Sequence, residues 1–538
     1  YETMYNVVFP LLKAYNYPAV FAPVTGWLDT PADQKIAYAD KMLDRSVFAT
    51  WSQVKEMEQS GLVEVASHTH NLHNGINANP SGGQLPSVIA PEYKNGKYET
   101  EDAYKNRLKS DFTRSVQTLV NHIGKKPRVM VWPYGQFNDV AVQLARQAGM
   151  PHYFSLGEKI INKVGDKHIG RLLLNAETDL NTVKNYLDGI DESKQIQRVL
   201  HVDLDYVYDA DKAQQAKNLD KLIDRIYRYG VTTVYLQAFS DPDGDGVADA
   251  LYFPNKYLPV RDDIFGRIAW QLQTRAGVQV YAWMPVLAFD LRKGVKEAEY
   301  VIDSRTGKPS TKAYLRLSPY NKQNVEIIKS IYNDLSFYAK FNGILFHDDV
   351  FLTDFEGAEG DHAEGMVSPQ AKQKTQDLIQ LTHQLTDALK PYFLRGSYSL
   401  KTARNLYASV ITNPNAEEWL AQNLKTLTDN YDTTAIMAMP YMENEQPISQ
   451  EEAYQWFSSL IENVKAQAPL DKVLFEFQAV NWRTQKPIPE SELIDWMKLL
   501  QKNHIYSYGY YPDNFLTNQP DLNKMKPYFS VNTNVGKP

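Results

Sequence analysis

The chain has 538 residues, a formal net charge of −7 at neutral pH and no cysteine. This length exceeds what one hydrophobic core supports, so at least two domains are predicted. The negative charge argues against nucleic-acid binding, and the lack of cysteine excludes disulfides and thiolate metal sites. No apolar run approaches the length of a membrane span.

The first part of the chain alternates short helical and strand patterns. Helical patterns at 3–15, 51–60, 100–122 and 139–147 are followed by strand patterns at 19–24, 63–67, 128–132 and 152–155. This alternation predicts an α/β domain with parallel strands. The polar segment 188–197 is typical of a linker, and we therefore predict domains over 1–190 and 191–538.

Three histidines, His68, His70 and His73, follow the strand pattern at 63–67. Two histidines five residues apart cannot share a helix face, but a strand end and a tight turn can bring both to one metal ion. The alternative is a polar loop whose histidines bond only to backbone. Three of the eleven histidines within six residues favour the metal site.

The pattern Ser-His-Thr-x-x-x-His from Ser67, together with Trp-Pro-Tyr-Gly from Trp132, resembles the NodB-type polysaccharide deacetylases of carbohydrate esterase family four. This resemblance implies an irregular (β/α) barrel, truncated here at its first strand. It implies that His68 and His73 bind a divalent ion, Zn²⁺, Ni²⁺, Co²⁺ or Fe²⁺, and it assigns no such role to His70. It also implies that the Tyr134 N–H stabilises the oxyanion, with Trp132 lining the sugar pocket.

The first motif of that family, a Phe-Asp-Asp-Gly strand end, supplies the catalytic base and the third metal ligand. The chain begins with Tyr1-Glu2-Thr3, which resembles the residues that follow this motif, and 1–190 contains no Asp-Asp pair. We therefore expect the pair just upstream of Tyr1. An inactive deacetylase scaffold is the alternative, which those upstream residues would decide.

From about residue 200 the strand and helix patterns alternate regularly. Strand patterns lie at 199–207, 232–239, 278–288, 343–347, 405–411, 435–442, 473–480 and 506–511, with helical patterns between them. Eight such units predict a TIM-like (β/α)8 barrel, whose chemistry lies at the carboxyl ends of the strands. A doubly wound open sheet is the alternative, but no glycine-rich phosphate loop follows the first strand pattern.

Acidic residues gather at the ends of these strand patterns. Asp203 and Asp205, two residues apart, would share a strand face and enter the barrel mouth. Buried charge is costly unless it is paired, protonated or needed, so this clustering predicts a glycosidase-type site. An acidic loop that caps the next helix is the alternative. The candidate acids for catalysis are Asp348, Asp349, Asp354 and Glu476.

Substrates with an acetamido group can use it as the nucleophile, with one carboxylate steering it and another donating the proton. We assign these roles to Asp348 and Asp349 as a pair, without deciding which is which. Further substrate-binding candidates lie at strand ends, where aromatic rings either stack on sugars or pack in the core. They are Trp283, His347, Tyr441, Trp482 and Tyr510, in addition to Asp203 and Asp205.

The second half resembles the C-terminal domain of the PgaB family, the periplasmic poly-β-1,6-N-acetyl-D-glucosamine deacetylases of biofilm-forming Gram-negative bacteria. The resemblance rests on motifs in the same order along the chain, beginning at His201, Tyr281, Phe346, Met437 and Tyr508. It implies endo-cleavage of the partially deacetylated polymer, an outer-membrane export porin as a partner, and a periplasmic lipoprotein. The alternative is a non-catalytic module that binds the polymer and guides it towards export.

Overall fold

The computed structural model describes residues 2–38, 41–156, 161–175, 178–188, 196–310, 313–357, 367–395 and 399–532. They form two compact units: Tyr1–Lys194 with Lys390–Ser399, and Gln195–Leu389 with Leu400–Pro538. Most of the predicted linker, 189–195, lies outside the described residues, so the boundary stays a prediction. Within the described ranges, no helix has the length and apolar character needed to span a membrane.

The first unit is an α/β domain. Its helices are α1 Phe9–Tyr15, α2 Thr25–Asp29, α3 Trp51–Gln59, α4 Glu101–Ile123, α5 Asp139–Gln147 and α6 Leu180–Leu187, with a π-helical turn at Met4–Val8 and 3-10 turns at Arg45–Val47 and Pro133–Gly135. Its strands are β1 Ala19–Phe21, β2 Lys35–Tyr38, β3 Lys41–Asp44, β4 Val63–Val65, β5 Gly75–Asn77, β6 Gln84–Pro86, β7 Tyr93–Lys94, β8 Lys97–Tyr98, β9 Val129–Val131, β10 His152–Leu156 and β11 His168–Arg171.

Two sets of parallel strands carry the loops of this unit. β1 pairs with β4, and β9, β10 and β11 form a second sheet, which the bridge between Ser67 and Met130 links to the chain after β4. The long helix α4 begins at the N-cap Thr100, whose side chain accepts from the Ala103 N–H, and ends at Gly124 in the left-handed conformation. The α/β alternation predicted from the sequence is therefore confirmed for this unit.

The second unit contains the barrel. Its helices are α7 Lys212–Tyr229, α8 Phe265–Gln271, α9 Lys322–Tyr338, α10 Pro369–Leu389, α11 Ser409–Thr412, α12 Glu417–Leu420, α13 Leu424–Asn430, α14 Pro440–Glu443, α15 Gln450–Gln467, α16 Glu490–Lys502 and α17 Leu522–Phe529, with a π-helical turn at Leu272–Ala276 and 3-10 turns at Leu204–Tyr206, Pro414–Ala416 and Leu470–Lys472. Its strands are β12 Arg198–Val202, β13 Thr233–Gln237, β14 Phe239–Ser240, β15 Ala250–Leu251, β16 Gln279–Met284, β17 Ile302–Asp303, β18 Lys308–Pro309, β19 Gly343–Phe346, β20 Lys401–Tyr407, β21 Thr433–Ala438, β22 Val473–Gln478, β23 Val480–Asn481, β24 Lys486–Pro487 and β25 Tyr508–Tyr511.

Eight parallel strands close on themselves in the order β12, β13, β16, β19, β20, β21, β22 and β25, with β25 paired to β12. The predicted (β/α)8 barrel is confirmed. One strand was misplaced, because the apolar run predicted as strand 405–411 divides between the end of β20 and the helix α11. Short apolar runs suit a buried strand and a buried helix equally well.

The strand register decides which side chains enter the barrel. His201, Tyr235 and Tyr281 are register partners on neighbouring strands, and Gly343 follows on the next one. A Cβ at Gly343 would lie 2.9 Å from the Tyr281 ring, so the small residue makes room for the large one. Alternate residues of each strand thus fill the interior, and the others face the surrounding helices.

A buried ion pair ties the loop after β25 to helix α7. Arg225 and Asp513 are 5% and 0% exposed, and two guanidinium nitrogens donate to the carboxylate at 2.6 to 3.0 Å. The charge of Asp513 raises the pKa of Arg225 even though burial opposes this. Tyr510 also donates its hydroxyl to Asp513, at 2.6 Å.

The Asp513→Ala substitution should lower the free energy of unfolding of the second unit by about 3–5 kcal/mol, because it leaves a buried guanidinium without its counter-charge. Urea denaturation followed by tryptophan fluorescence measures this. Asp429→Ala, which breaks the exposed pair with Lys425, is the control and should leave the midpoint nearly unchanged. Equal midpoints for the two variants would contradict the expectation.

Candidate active sites

The loop after β4 brings His68 and His73 together in the first unit. Their ring centroids are 5.0 Å apart. The loop between them is fixed by Asp111 on α4, whose carboxylate accepts the backbone N–H groups of His70 and Asn71 at 2.8 and 2.7 Å. Burial raises the pKa of Asp111 to about 6, and these two donors oppose the rise. No signal in the sequence marked Asp111.

Both imidazoles have the protonation state that a metal ligand needs. His68 donates through Nδ1 to the Val131 carbonyl at 2.6 Å, which leaves Nε2 with a free lone pair. Burial lowers the pKa of His68 to about 4 and also lowers that of His73, so both rings are neutral near pH 7. A neutral imidazole oriented by a carbonyl at its other nitrogen fits a divalent ion. The two side chains therefore fit as two ligands of the predicted metal site.

His70 lies in the same loop but has a different environment. Its Nδ1 lies 3.0 Å from the Thr25 hydroxyl, and its carbonyl accepts from the Gly26 N–H at 2.8 Å. A Cβ at Gly26 would lie 2.6 Å from that carbonyl oxygen, so glycine permits this close approach. His70 therefore holds two loops together, in agreement with its exclusion from the ligand set.

The Trp-Pro-Tyr-Gly motif places Tyr134 beside His73. Tyr134 has φ +57° and ψ +10°, and its ring lies 4.4 Å from the His73 ring with 45% of the side chain exposed. The structure does not place Trp132 in the pocket. Trp132 is fully buried and stacks on Phe137 at 5.5 Å. The prediction that it lines the sugar pocket is wrong, because the residue after β9 turns into the core.

In the second unit, Asp348 lies at the centre of a buried polar cluster. Its Oδ2 accepts the hydroxyl groups of Tyr314 and Tyr407, both at 2.9 Å, and its Oδ1 lies 2.8 Å from Nδ1 of His347. Burial favours the neutral acid, but the His347 charge and the hydroxyl donors outweigh it and lower the pKa of Asp348. Asp348 is therefore an ionised carboxylate at the barrel mouth.

The Asp349 carboxylate has different partners from that of Asp348, although both lie near Nδ1 of His347, at 3.8 and 2.8 Å. It accepts the backbone N–H groups of Val286, Leu287 and Ala288 at 2.6 to 3.1 Å, and Asp349 is fully buried. Burial raises its pKa while these donors oppose the rise. Asp349 therefore holds the loop after β16, which differs from steering the acetamido group or donating the proton, the two roles predicted for the Asp348–Asp349 pair.

Asp203 is a buried carboxyl group with little hydrogen bonding among the described residues. It is 8% exposed, and among the described residues its Oδ1 has no hydrogen-bond partner, while Oδ2 has only the Tyr511 hydroxyl at 3.5 Å. Burial, followed by the charge of Asp205, raises the pKa of Asp203 to about 8. Asp203 is therefore largely protonated near pH 7.

Two further buried polar atoms near Asp203 have no partner within the described part of the chain, Nε2 of His201 and Nε1 of Trp283. The two rings lie 4.1 Å apart, and the Trp283 ring also stacks on His347 at 5.1 Å. Buried polar atoms normally form hydrogen bonds, so a cluster of such atoms without partners indicates a binding site for a polar ligand.

The other predicted acids have different surroundings. Asp205 does not open into the mouth, because β12 ends at Val202 and its carboxylate bonds Arg261 and the Tyr252 hydroxyl at 2.5 Å each. Glu476 faces the barrel interior, where it bonds His201 at 2.5 Å and Asn405 at 2.9 Å. Asp354 lies half-buried in the loop after β19. The predicted shared face of Asp203 and Asp205 is wrong, since the chain turns between them.

The strand pleat also separates the predicted stacking residues. Tyr510 is fully buried on the helix side of β25, where it contacts Tyr229 and Phe529, so its prediction as a stacking platform is wrong. Its neighbour Tyr511 faces the mouth, 5.5 Å from the ring of Trp283.

Two predicted aromatic residues lie near the rim. Trp482 is half-buried and lies 6.2 Å from the Tyr511 ring. Tyr441 is also half-buried, and its hydroxyl donates to Glu492.

Sequence reasoning missed three residues of the Asp348 environment: Tyr314, Tyr407 and Glu443. Glu443 accepts the Ala408 N–H at 2.9 Å, and burial raises its pKa to about 7. Its charge also acts on Tyr407, the residue that donates to Asp348. Tyr314 and Glu443 come from loops and short helices beyond the strand ends, whose paths the strand pattern does not specify.

Comparisons with known proteins match the two halves of the chain to two different families. The polysaccharide deacetylase family matches residues 1–153, and hypothetical glycosyl hydrolase family 13 matches residues 201–511. A poly-β-1,6-N-acetyl-D-glucosamine N-deacetylase of Escherichia coli K12 is 40% identical over 557 aligned positions, which cover 99% of this chain and 82% of that protein.

Other relatives match one half of the chain. A protein of the same name from Staphylococcus aureus is 27% identical over 192 positions, 36% of this chain and 57% of that protein. The glycoside hydrolase domain of PgaB (BpsB) from Bordetella bronchiseptica matches with a TM-score of 0.58 and 39% identity, over 63% of this chain and all of that domain.

The raised pKa of Asp203 generates a pH-dependent stability. Folded Asp203 holds its proton up to a pH of about 8, whereas the unfolded side chain ionises near its ordinary value of 3.8. Between these values the unfolded chain binds fewer protons, so this group makes stability fall as pH rises. Asp203→Asn cannot ionise. The difference in melting temperature, variant minus parent, should therefore be larger at a pH of about 7.5 than at a pH of about 4.5.

Differential scanning calorimetry of the second unit's transition at both pH values measures this difference. Asp429→Asn, which weakens the exposed ion pair with Lys425, is the control, and its melting temperature should differ from that of the parent by the same small amount at both pH values. A difference for Asp203→Asn that does not change with pH would contradict the expectation.

Proposed function

Since the chain belongs to the poly-β-1,6-N-acetyl-D-glucosamine N-deacetylase family, we propose that its first unit hydrolyses the acetamide groups of this polymer. The observation that carries the proposal is the pair of neutral imidazoles, His68 and His73, beside the Tyr134 turn, with His68 oriented by the Val131 carbonyl. A neighbouring aromatic surface can receive the sugar, and the turn can bind the oxygen on which negative charge develops.

His68 and His73 would hold a divalent ion through ring nitrogens that carry no proton. When bound, such an ion polarises the acetamide carbonyl and lowers the pKa of a coordinated water. The hydrogen bond from His68 to the Val131 carbonyl keeps that ring in one tautomer and one orientation. The backbone N–H of Tyr134 is proposed to donate to the oxyanion of the tetrahedral intermediate.

His68→Gln should remove the bound metal and lower deacetylation by at least about 100-fold, since even groups that only orient a ligand contribute about 10- to 100-fold. Metal content after dialysis against Zn²⁺, Ni²⁺, Co²⁺ or Fe²⁺ is measured by mass spectrometry, and released amines report activity. His70→Gln is the matched control from the same loop and should keep the metal. Equal metal content in both variants would count against the ligand assignment.

We further propose that the barrel cleaves the partially deacetylated polymer. Asp348 is held ionised while Asp203 is held protonated, and two carboxyl groups with opposite protonation states suit glycoside hydrolysis. Asp348 would steer the acetamido group or stabilise the cationic transition state, and Asp203 would donate the proton. Removal of acetyl groups leaves ammonium groups on the polymer, which the negative charge of Asp348 attracts.

A non-catalytic polymer-binding barrel is the second candidate function. The polar atoms of Asp203, His201 and Trp283 that lack a hydrogen-bond partner among the described residues would also suit binding without cleavage. We propose a periplasmic location, a lipoprotein anchor and an export porin as a partner for either case, on the family resemblance. The two functions differ in whether the polymer becomes shorter.

Asp348→Asn should lower the rate of chain shortening by about 1,000-fold, within the range that a catalytic carboxyl group contributes, while deacetylation by the first unit continues. Mass spectrometry of a partially deacetylated oligomer follows cleavage, and amine release follows deacetylation. Asp429→Asn, in the exposed pair with Lys425 on α13, serves as the control and should cleave at a rate close to the parent. If the parent binds the oligomer and never shortens it, the binding function is correct.

A further inference from the structure

The hairpin β2–β3 of the first unit carries an aromatic residue to the deacetylase site. Ile36 and Tyr38 lie two residues apart on one face of this hairpin. Ile36 is 4% exposed and belongs to the hydrophobic core, so it anchors that face against the domain. Tyr38 then reaches beyond the core, and its ring stacks over the His73 ring at 5.9 Å and 21°.

Two exposed tyrosines thus flank the same histidine. Tyr38 is 37% exposed and Tyr134 is 45% exposed, and both rings contact the ring of His73. Trp27 supports Tyr38 from one side, with an edge-on contact at 5.6 Å. Large aromatic side chains that stay exposed around a candidate catalytic residue are typical of ligand-binding surfaces.

We propose that Tyr38 is a substrate-stacking residue that binds a sugar ring of the polymer next to the acetamide group being hydrolysed. A pyranose ring with equatorial substituents presents C–H groups on its faces, and these pack on an aromatic ring. Tyr134 also contacts the His73 ring and limits where the sugar can lie. This inference rests on the proposed deacetylase function and adds to it the residue that positions the polymer.

The hairpin provides a matched control. Met42 pairs with Ala37 and lies on the face opposite Tyr38, with 59% of its side chain exposed. Met42→Ala therefore removes a large exposed apolar side chain from the same hairpin without touching the side that faces His73. Tyr38→Phe keeps the ring and removes only the hydroxyl.

In the full-length protein, Tyr38→Ala should raise the KM for deacetylation of a β-1,6-linked N-acetylglucosamine pentasaccharide about fivefold or more, as expected for the loss of one aromatic contact. The kcat should change little, and Tyr38→Phe and Met42→Ala should match the parent. Hydrolysis of 4-nitrophenyl acetate, which has no sugar ring, should be the same in all variants.

A second readout does not depend on catalysis. Tyrosine nitration by tetranitromethane, mapped by peptide mass spectrometry in protein stripped of metal with EDTA, reports whether the pentasaccharide covers Tyr38. Tyr38 should be protected, whereas Tyr15 and Tyr17, which are 68% and 65% exposed, should be nitrated with or without the sugar.

The outcomes separate the inference from the function on which it rests. An unchanged KM in Tyr38→Ala, or nitration of Tyr38 that the pentasaccharide does not reduce, overturns the stacking role in a protein that still deacetylates. A fall in kcat and in ester hydrolysis with an unchanged KM would make Tyr38 a support for His73 and also overturn it. A parent protein that releases no acetate overturns both proposals.

Discussion

Charge removed from water must be paired, neutralised or held for a ligand, and this constraint explains the arrangement of acids in the barrel. Asp205 pairs with Arg261 and Asp513 pairs with Arg225, so these charges are balanced by the protein itself, and Glu476 is hydrogen-bonded to His201. Asp349 is balanced by three backbone N–H groups. These contacts stabilise particular loops and leave little capacity for a substrate.

Asp203 and Asp348 satisfy the same constraint in opposite ways. Asp348 remains charged because His347, Tyr314 and Tyr407 surround it. Among the described residues, Asp203 receives a hydrogen bond only from the Tyr511 hydroxyl, at 3.5 Å, and it remains protonated instead. The barrel mouth therefore contains both a carboxylate and a carboxylic acid, and this difference in protonation supports the proposed hydrolysis more specifically than the number of acids does.

In the first unit, burial controls the protonation state of two histidines. Burial keeps His68 and His73 neutral, and the hydrogen bond to the Val131 carbonyl fixes the proton of His68 on Nδ1. The two imidazoles can therefore bind a metal ion without first losing a proton. The chemistry of the two units is complementary, because deacetylation produces ammonium groups and the barrel mouth holds negative charge.

The sequence alone determined the α/β alternation, the eight barrel strands, the acids near the strand ends and the pair of histidines, His68 and His73, that we propose as metal ligands. These features depend on local periodicity and on short motifs, so they can be read without coordinates. Tertiary structure alone decided that Tyr511 and not Tyr510 faces the mouth, that Trp132 is buried, and that Asp348 and Asp349 bind different groups. Contacts between residues far apart in the chain decide which residues of a strand face the barrel interior. They also decide the path of the turn after β19 and the partners of each carboxylate.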